Sequence, residues 1–530
     1  MARRMLSTPN QWAVSAAVWV SLCALAAAGS TGCSYSCVDN YTCEIETGTS
    51  GTGGSGGAGG GLLCPEDPTD GPVAAECGVW VSPSLGDDAN PGTQTAPVKT
   101  IAAGTVLAQT GTMRVYLCGE TYDEAVALYS GVSLFGGFDC QHDWVYLGTP
   151  KRALIQPGIS GVVPLTVLEG ERMSAVRDVN VIAADAAEPG GSSIGVLARP
   201  GSKVEIWRSE ITAGNGADGA KGEDGGHGAP PAKPGLNGLK GANACSMDIG
   251  LGGAAVQLVC EDGAVSHSGQ GGNGGEGAAN NGGDGLPSPA MNTLAYGAGG
   301  KGENPIAGMA CTPGIGGAQG INGMEGYGAT KPGWLTVNGL VGAPGLDGGT
   351  GFPGQGGGGG GASVGKPACG GVNGGAGGGS GGTGGCGGRG AKGGQAGGSS
   401  VGVASLSPDV YLYETRIITG NGGNGGDGGS GQPGGQGGLP GIGGAGQNAP
   451  DPVLKGCTGG AGGYGGDGGN GGGGRGGHSL FIAFTANNYP DGQPPDFITG
   501  TPGQGGFGGN KASLFGKGKD GEEYYHVLDN

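Results

Sequence analysis

From residue 79 to residue 213 the apolar positions fall into short runs bounded by Gly, Pro, Asp or Asn: 79–81, 115–117, 132–135, 154–155, 165–168, 179–182, 196–197 and 204–206. Runs this short and rich in Val, Leu and Ile predict β-strands, and only 101–108 carries the helical period. Several runs lie 23 to 25 residues apart, as from Ile155 to Val179 and from Val179 to Val204. A β-sandwich spaces its strands by about 8–12 residues. The wider step predicts a coil of parallel strands, each turn burying its inner face on the next. Val132, Ile155, Val179 and Ile206 are expected to share one interior column. 

The pattern changes at residue 214. Over 420–446, two of every three positions are almost all Gly, and the third carries Asn421, Asn424, Asp427, Ser430, Pro433, Gln436, Leu439, Ile442 and Ala445. A period of three is that of an extended left-handed helix rising about 3.1 Å per residue. With two faces lacking a Cβ, such helices can approach closely and bond through their backbones. The segments are therefore expected as polyglycine-II-like bundles or as disordered loops. Bundling must offset the entropy of ordering Gly, about 0.5–1 kcal/mol per residue relative to Ala. Runs 216–228 and 339–354 keep a strict Gly-x-y step, but they are too short and broken for a collagen triple helix, which needs sustained register on three chains.

The two patterns meet in an internal repeat. Ser192-Ser193-Ile194-Gly195-Val196 leads to 204–216, and Ser399-Ser400-Val401-Gly402-Val403 leads to 410–422, the second halves registering at an offset of 206. A weaker third copy runs through Ser479-Leu480-Phe481-Ile482 and Phe497-Ile498-Thr499-Gly500. The coil is thus expected to continue through 399–530, its Gly-rich excursions leaving from one face.

Composition limits the rest. Gly supplies 139 of 530 residues and aromatics only 5%, so a packed core must be confined to the Gly-poor part. The net charge of −18 excludes an electrostatic nucleic-acid binder, which needs clustered Lys and Arg. At the N-terminus, Arg3 and Arg4 precede an apolar stretch over 12–28 and the small residues 29–32. This predicts a secretory signal peptide, the run being shorter than the ~20 residues that span a bilayer. 

Ser30-Thr31-Gly32-Cys33 resembles the lipobox of bacterial lipoproteins, which places Leu where Ser30 stands here. The resemblance implies lipidation of Cys33, and Ser34 beside it implies an outer-membrane address. Cleavage after 26–28 is the alternative. Removing Cys23 and Cys33 leaves Cys37, Cys43, Cys64, Cys77, Cys118, Cys140, Cys245, Cys260, Cys311, Cys369, Cys386 and Cys457 as disulfide candidates, an even set suited to an oxidising compartment. With no Cys-x-x-Cys pair and scattered His residues, a zinc site is not expected.

The string from Val79, through Gly86–Thr93 (GDDANPGT), Ala96-Pro97-Val98-Lys99-Thr100-Ile101 and a short helix over 102–108, resembles the entry to right-handed parallel β-helices of the pectate-lyase-like superfamily. The block 131–140 resembles the form found in Gly-rich surface proteins of myxobacteria. The resemblance covers roughly 60 residues well and implies a fold and a surface location, with no single activity. 

The organisation read from the chain is a signal peptide over 1–32, a Cys/Gly-rich tether over 33–78, a capped β-helix over 79–213, a Gly-rich insertion over 214–398, and further rungs with Gly-rich loops over 399–530.

Enzymes on such folds work with clustered carboxylates and a basic partner. Candidates are Asp178, Asp185, Glu205 and Glu210 with Arg177 or Arg208. No motif binds them together. Glu205 and Glu210 fall on different phases of one expected strand, and Asp178 is expected to face solvent. The strings ending in Asp427 and Asp467 match the start of the Gly-Gly-x-Gly-x-Asp calcium repeat, but Gly429 and Gly469 replace its large apolar residue. 

The sequence therefore reads as an exported cell-surface structural or adhesive protein, anchored to the membrane through lipid on Cys33 and needing no cofactor. Its expected partners are extracellular polysaccharide or cell-surface components. The alternatives are a polysaccharide lyase or hydrolase, and a calcium- or ice-binding surface.

Overall fold

The computed structural model describes residues 37–38, 42–43, 64–367, 371–448, 451–485, 491–492 and 496–528. The chain divides into two compact units, Met1–Leu63 and Cys64–Asn530. In the first, Cys37–Val38 pairs antiparallel with Thr42–Cys43. The expected signal peptide, the lipidation of Cys33 and the thiol of Cys369 lie outside the described residues.

The second unit is mainly β, built on three parallel sheets. Sheet 1 holds Val79–Val81, Arg114–Cys118, Ser133–Asp139, Ser174–Arg177, Val204–Trp207, Val410–Tyr413 and Asp491–Gly492, with Val145–Tyr146 added antiparallel to Ser133–Asp139. Sheet 2 holds Thr121–Tyr122, Ala153–Ile155, Val179–Ile182, Glu210–Ala213, Arg416–Thr419 and Asp496–Ile498. Sheet 3 holds Val126–Leu128, Leu165–Val167, Ser193–Ala198, Ser400–Ser405, Ser479–Thr485 and Glu523–Leu528. After its opening strands the chain visits sheets 1, 2 and 3 in that order, repeatedly. Every long Gly-rich stretch, 214–399, 420–478 and 499–522, lies between a sheet 2 strand and the next sheet 3 strand.

Alternation sets the core. Val179, Val181, Val204, Ile206 and Ile211 point inward from strands whose neighbouring positions are half-exposed. Val132, Ile155, Val179 and Ile206 all belong to one buried cluster. Ile206 lies on sheet 1, Val132 just before a sheet 1 strand, and Ile155 and Val179 on sheet 2 out of register with each other, so they share a core without forming one column. In sheet 3, Ser193–Ala198, Ser400–Ser405 and Ser479–Thr485 are buried on both faces, because the hairpin Trp334–Thr336/Gly339–Val341 covers their outer side through Leu335 and Leu340. At the N-terminal end the helix Ile101–Gln109 packs Ile101 and Ala108 onto the same core. Thr100 caps it, its side chain accepting from the Ala103 N–H, and Glu124 takes the Ile101 and Ala102 N–H groups.

The step of 23 to 25 residues holds only in part: Ile155 and Val179 lie on neighbouring strands of sheet 2, whose register partners are 26 residues apart. Val179 lies on sheet 2 and Val204 on sheet 1, so their interval is a path round a corner. Other register partners are spaced more widely: Ser174 faces Val204 and Val181 faces Ile211, 30 residues apart, and Leu134 faces Val176 at 42. The offset of 206 is structural, since Val204 faces Val410 and Ile211 faces Ile417. The third copy also holds, with Leu480 beside Val401 and Phe497 beside Ile417.

The Gly-rich stretches form a lattice of extended segments bonded to one another. Segment 374–398 sits at its centre. Its Gly378, Gly379 and Ser380 N–H groups donate to Gly272, Cys457 and Leu239 carbonyls, at 2.9, 2.9 and 3.0 Å. The carbonyls of the same three residues accept from Gly253, Gly360 and Gly441, each at 2.8 Å. One three-residue turn thus meets six different neighbours. A Cβ on Gly378 would stand 1.9 Å from the Gly360 oxygen, and one on Gly379 2.1 Å from the Gly441 oxygen. Ser380 and Thr383 fit because their hydroxyls accept the Leu239 and Leu236 N–H groups. 

Glycine frequency follows position in the lattice. The centre at 374–398 and the neighbouring segment 422–444 are both about two-thirds Gly, and rim segments such as 216–225 and 317–326 have about one in three. The strict Gly-x-y runs 216–228 and 339–354 are such strands, bonded within this chain.

Side chains at the third positions tie the turns together. Asp185 Oδ1 accepts the Asn215 N–H, Asn215 Oδ1 that of Asn421, and Asn421 Oδ1 that of Thr501, at 2.6, 2.8 and 2.9 Å. A second ladder runs from Asp218 to Asn424 to Gln504. We expect Asn421→Ala to cost about 1 kcal/mol in denaturant unfolding, the worth of one such bond. Asn421→Asp keeps the acceptor and should retain most of it.

Candidate functional site

Asp178, Arg208, Arg177 and Glu205 come together, in a cluster organised by a fifth residue, Asp67. The segment that begins at Cys64 lies on the outer face of sheet 1, held by the Cys64–Cys77 disulfide and by Arg114, which donates to the Pro65 carbonyl. Beneath it Trp80, Tyr116, Phe135, Phe138 and Trp144 form a second buried cluster, outside the sheet. Asp67 points from this segment to Arg177 at 2.7 Å and to Arg208 at 3.0 Å. Arg208 also bonds Asp178 at 2.8 Å, Tyr146 donates to Asp178 at 2.7 Å, and Arg177 reaches Glu205 at 2.7 Å.

Asp178 is only 1% exposed, which overturns the expectation of a solvent-facing carboxylate: the covering segment and the Arg208 guanidinium enclose it. Asp178 and Arg208 both occupy the turn from sheet 1 to sheet 2, with φ of 54° and 46°. The left-handed corner swings both side chains away from the apolar core, toward the covering segment. Burial raises the Asp67 pKa, but the Thr69 N–H, the Arg208 side chain and the Thr69 hydroxyl outweigh it and hold the carboxyl below its usual value. Burial opposes the Arg208 charge, yet its bonds to Asp178 and Asp67 raise its pKa. Burial and the Asp178 carboxylate push the Tyr146 hydroxyl up. Each carboxylate here is committed to a cation or a donor, an arrangement that holds a segment in place and offers no free acid or base. 

The other candidates stay apart. Glu210 sits on sheet 2, near Arg416 at 3.5 Å, while Glu205 sits on sheet 1. The two lie on different strands, which corrects the single-strand premise and leaves its conclusion intact. Asp185 is the foot of the first Asn ladder.

The calcium-like strings also serve the lattice. Asp427 accepts the Phe507 N–H and lies 3.3 Å from Lys511, and Asp467 accepts the Gly434 N–H. Among the described residues the one grouping with metal-ligand spacing is Cys118, Glu120 and Cys140, and its two thiols are joined as a disulfide. Cys260 pairs with Cys386 and Cys311 with Cys457, and Cys245 is also disulfide-bonded. These bonds are consistent with an exported protein in an oxidising compartment. No helix among the described residues is long and apolar enough to cross a membrane.

Two surface features remain. One is a cleft of about 470 Å³ where the Cys260–Cys386 disulfide meets Lys233, Asp347, Arg389 and Lys392. The other is a rim of the lattice where Ile321, Met324 and Tyr327 on one segment lie beside Leu346 and Phe352 on its antiparallel neighbour, all five 59–78% exposed. Sequence reasoning identified neither, although the one-in-three Gly spacing of 317–326 and 342–354 marks both segments as rim. No family model matches the chain, and no curated protein or solved structure matches it either.

Proposed function

We propose that this is an exported cell-surface protein with a structural or adhesive role, in which the three sheets are the faces of a right-handed parallel β-helix and the Gly-rich segments are polyglycine-II helices. The repeated order of sheets 1, 2 and 3 supports the β-helix, and the pectate-lyase-like resemblance at its capped entry agrees with it. The six-neighbour bonding of segment 374–398 supports the polyglycine-II assignment. 

The exposed row Ile321, Met324, Tyr327, Leu346 and Phe352 carries the adhesive reading. A contiguous apolar row on a backbone lattice is a surface fixed for contact. Lipid on Cys33 would hold the protein at an outer membrane, with the lattice presented to matrix polysaccharide or to neighbouring cells. 

Deleting the gene in the producing bacterium should weaken cell–cell or cell–surface cohesion under shear, and a copy carrying Met324→Glu and Phe352→Glu should fail to restore it. Unchanged cohesion, or release of oligosaccharides from polygalacturonate by the purified full chain, would replace this reading with the enzymatic one.

A further inference from the structure

The cleft interrupts the lattice in a defined way. Every third N–H of the central segment points to the same side. Gly378 donates to Gly272 O, Gly381 to Gly269 O and Gly384 to the Ser266 hydroxyl, at 2.9, 2.9 and 2.8 Å. Further along the row, Gly393 donates to Asp347 Oδ1 at 2.9 Å. Between them, the Gly387 and Gly390 N–H groups have no partner among the described residues, nor do their carbonyls, and both residues line the cleft. Thr350, on the adjoining segment, also lines it, and its N–H has no partner among the described residues. Gly387 and Gly390 are one three-residue turn apart, about 9 Å at 3.1 Å per residue. 

The hairpin Gln257–Val259/Val265–His267, fixed by the Cys260–Cys386 disulfide, walls one end. Arg389–Glu261 and Lys392–Asp347 ion pairs cross the mouth, with side chains 45–66% exposed. Pairs that exposed are worth about 0–1 kcal/mol and can open. The volume, about 470 Å³, is that of a ligand site.

We propose that this cleft is an unfilled strand position of the lattice and binds an extended glycine-rich peptide with three residues per turn. The bound strand would supply carbonyls to Gly387, Gly390 and Thr350, as 269–272 supplies them to Gly378 and Gly381. Its inner face must be Gly, because a Cβ elsewhere in the lattice meets a neighbouring carbonyl near 2 Å. This goes beyond the adhesive reading and is tested without reference to cohesion. 

The probe is the peptide Gly-Asn-Gly-Gly-Asn-Gly-Gly-Asn-Gly, added to the full chain and followed by calorimetry and by amide exchange. It should bind about tenfold or more tighter than its counterpart with Ala at every Gly, since two or three bonds are at stake. It should also slow exchange at 387–390. Thr350→Trp, which fills the cleft from an exposed position, should abolish binding without altering the circular dichroism. Equal binding of the Ala peptide, unchanged exchange at 387–390, or binding of oligogalacturonate in place of the peptide would each overturn the proposal.

Discussion

Gly378→Ala should unfold the lattice, while Gly316→Ala should leave it intact. The added carbon at Gly378 would lie 1.9 Å from the Gly360 oxygen, whereas at Gly316 the nearest atom is the Ala461 oxygen at 3.5 Å, an ordinary contact. Gly378 belongs to a turn that bonds six neighbours, so moving one segment by the missing distance of about 1.5 Å breaks bonds on several sides at once. Overpacking alone costs about 1–3 kcal/mol, and each broken bond adds about 0.5–1.5 kcal/mol. The expected total is about 4 kcal/mol or more, against about 0.5 kcal/mol for the rim change. Denaturant unfolding of the two variants beside the parent chain measures this. Equal midpoints for Gly378→Ala and the parent would mean that the six-neighbour packing does not hold the lattice.

That contrast shows which part of the lattice was open to a reader of the chain. The period of three at 420–446 is visible, and it implies helices with two bare faces. What decides order against disorder is the number of neighbours, and that is encoded in a comparison between segments: about one Gly in three at 216–225 against about two in three at 422–444 and 374–398. The Asn ladders were legible through the offset of 206, which places Asn421 over Asn215 and Asn424 over Asp218. 

The strands were legible where β-branched residues alternate, as in 179–182 and 204–206. Thr121–Tyr122 and Val126–Leu128 are too short to show a period, and Ser174–Arg177 has one strongly apolar residue. Missing these three hid the register intervals between neighbouring strands. The site failed for another reason. Asp178 reads as an outward carboxylate, and from its corner between two strands it does point away from the apolar core. Its burial comes from a segment more than a hundred residues earlier in the chain, and no local pattern marks Asp67 as its cover.

Arg208→Leu should destabilise the second unit by about 3–5 kcal/mol, the cost of breaking a buried ion pair and stranding its partner. Arg208 is shared: its guanidinium bonds Asp67 at 3.0 Å and Asp178 at 2.8 Å, and Asp178 is 1% exposed. Without it Asp178 keeps the Tyr146 hydroxyl alone, and the covering segment loses one of its three arginine anchors, keeping Arg114 and Arg177. Because the φ of 46° at Arg208 burdens any side chain there, Arg208→Lys serves as the control. It retains the charge and should lose less, since a single ammonium cannot form the forked bonds. Adding Asp178→Asn to Arg208→Leu removes the stranded charge and should recover part of the loss, a coupling read directly from the double-mutant cycle. 

Acid supplies an independent signature. Asp67 has a folded pKa below its usual 3.8, so its contribution is complete above that value and disappears as pH falls through the lowered one. The parent chain should therefore lose stability below about pH 4, and the Arg208→Leu variant should show a shallower acid slope. A variant with the parent's midpoint at neutral pH, or with the parent's full acid slope, would mean that Asp67 and Arg208 do not hold this segment to sheet 1.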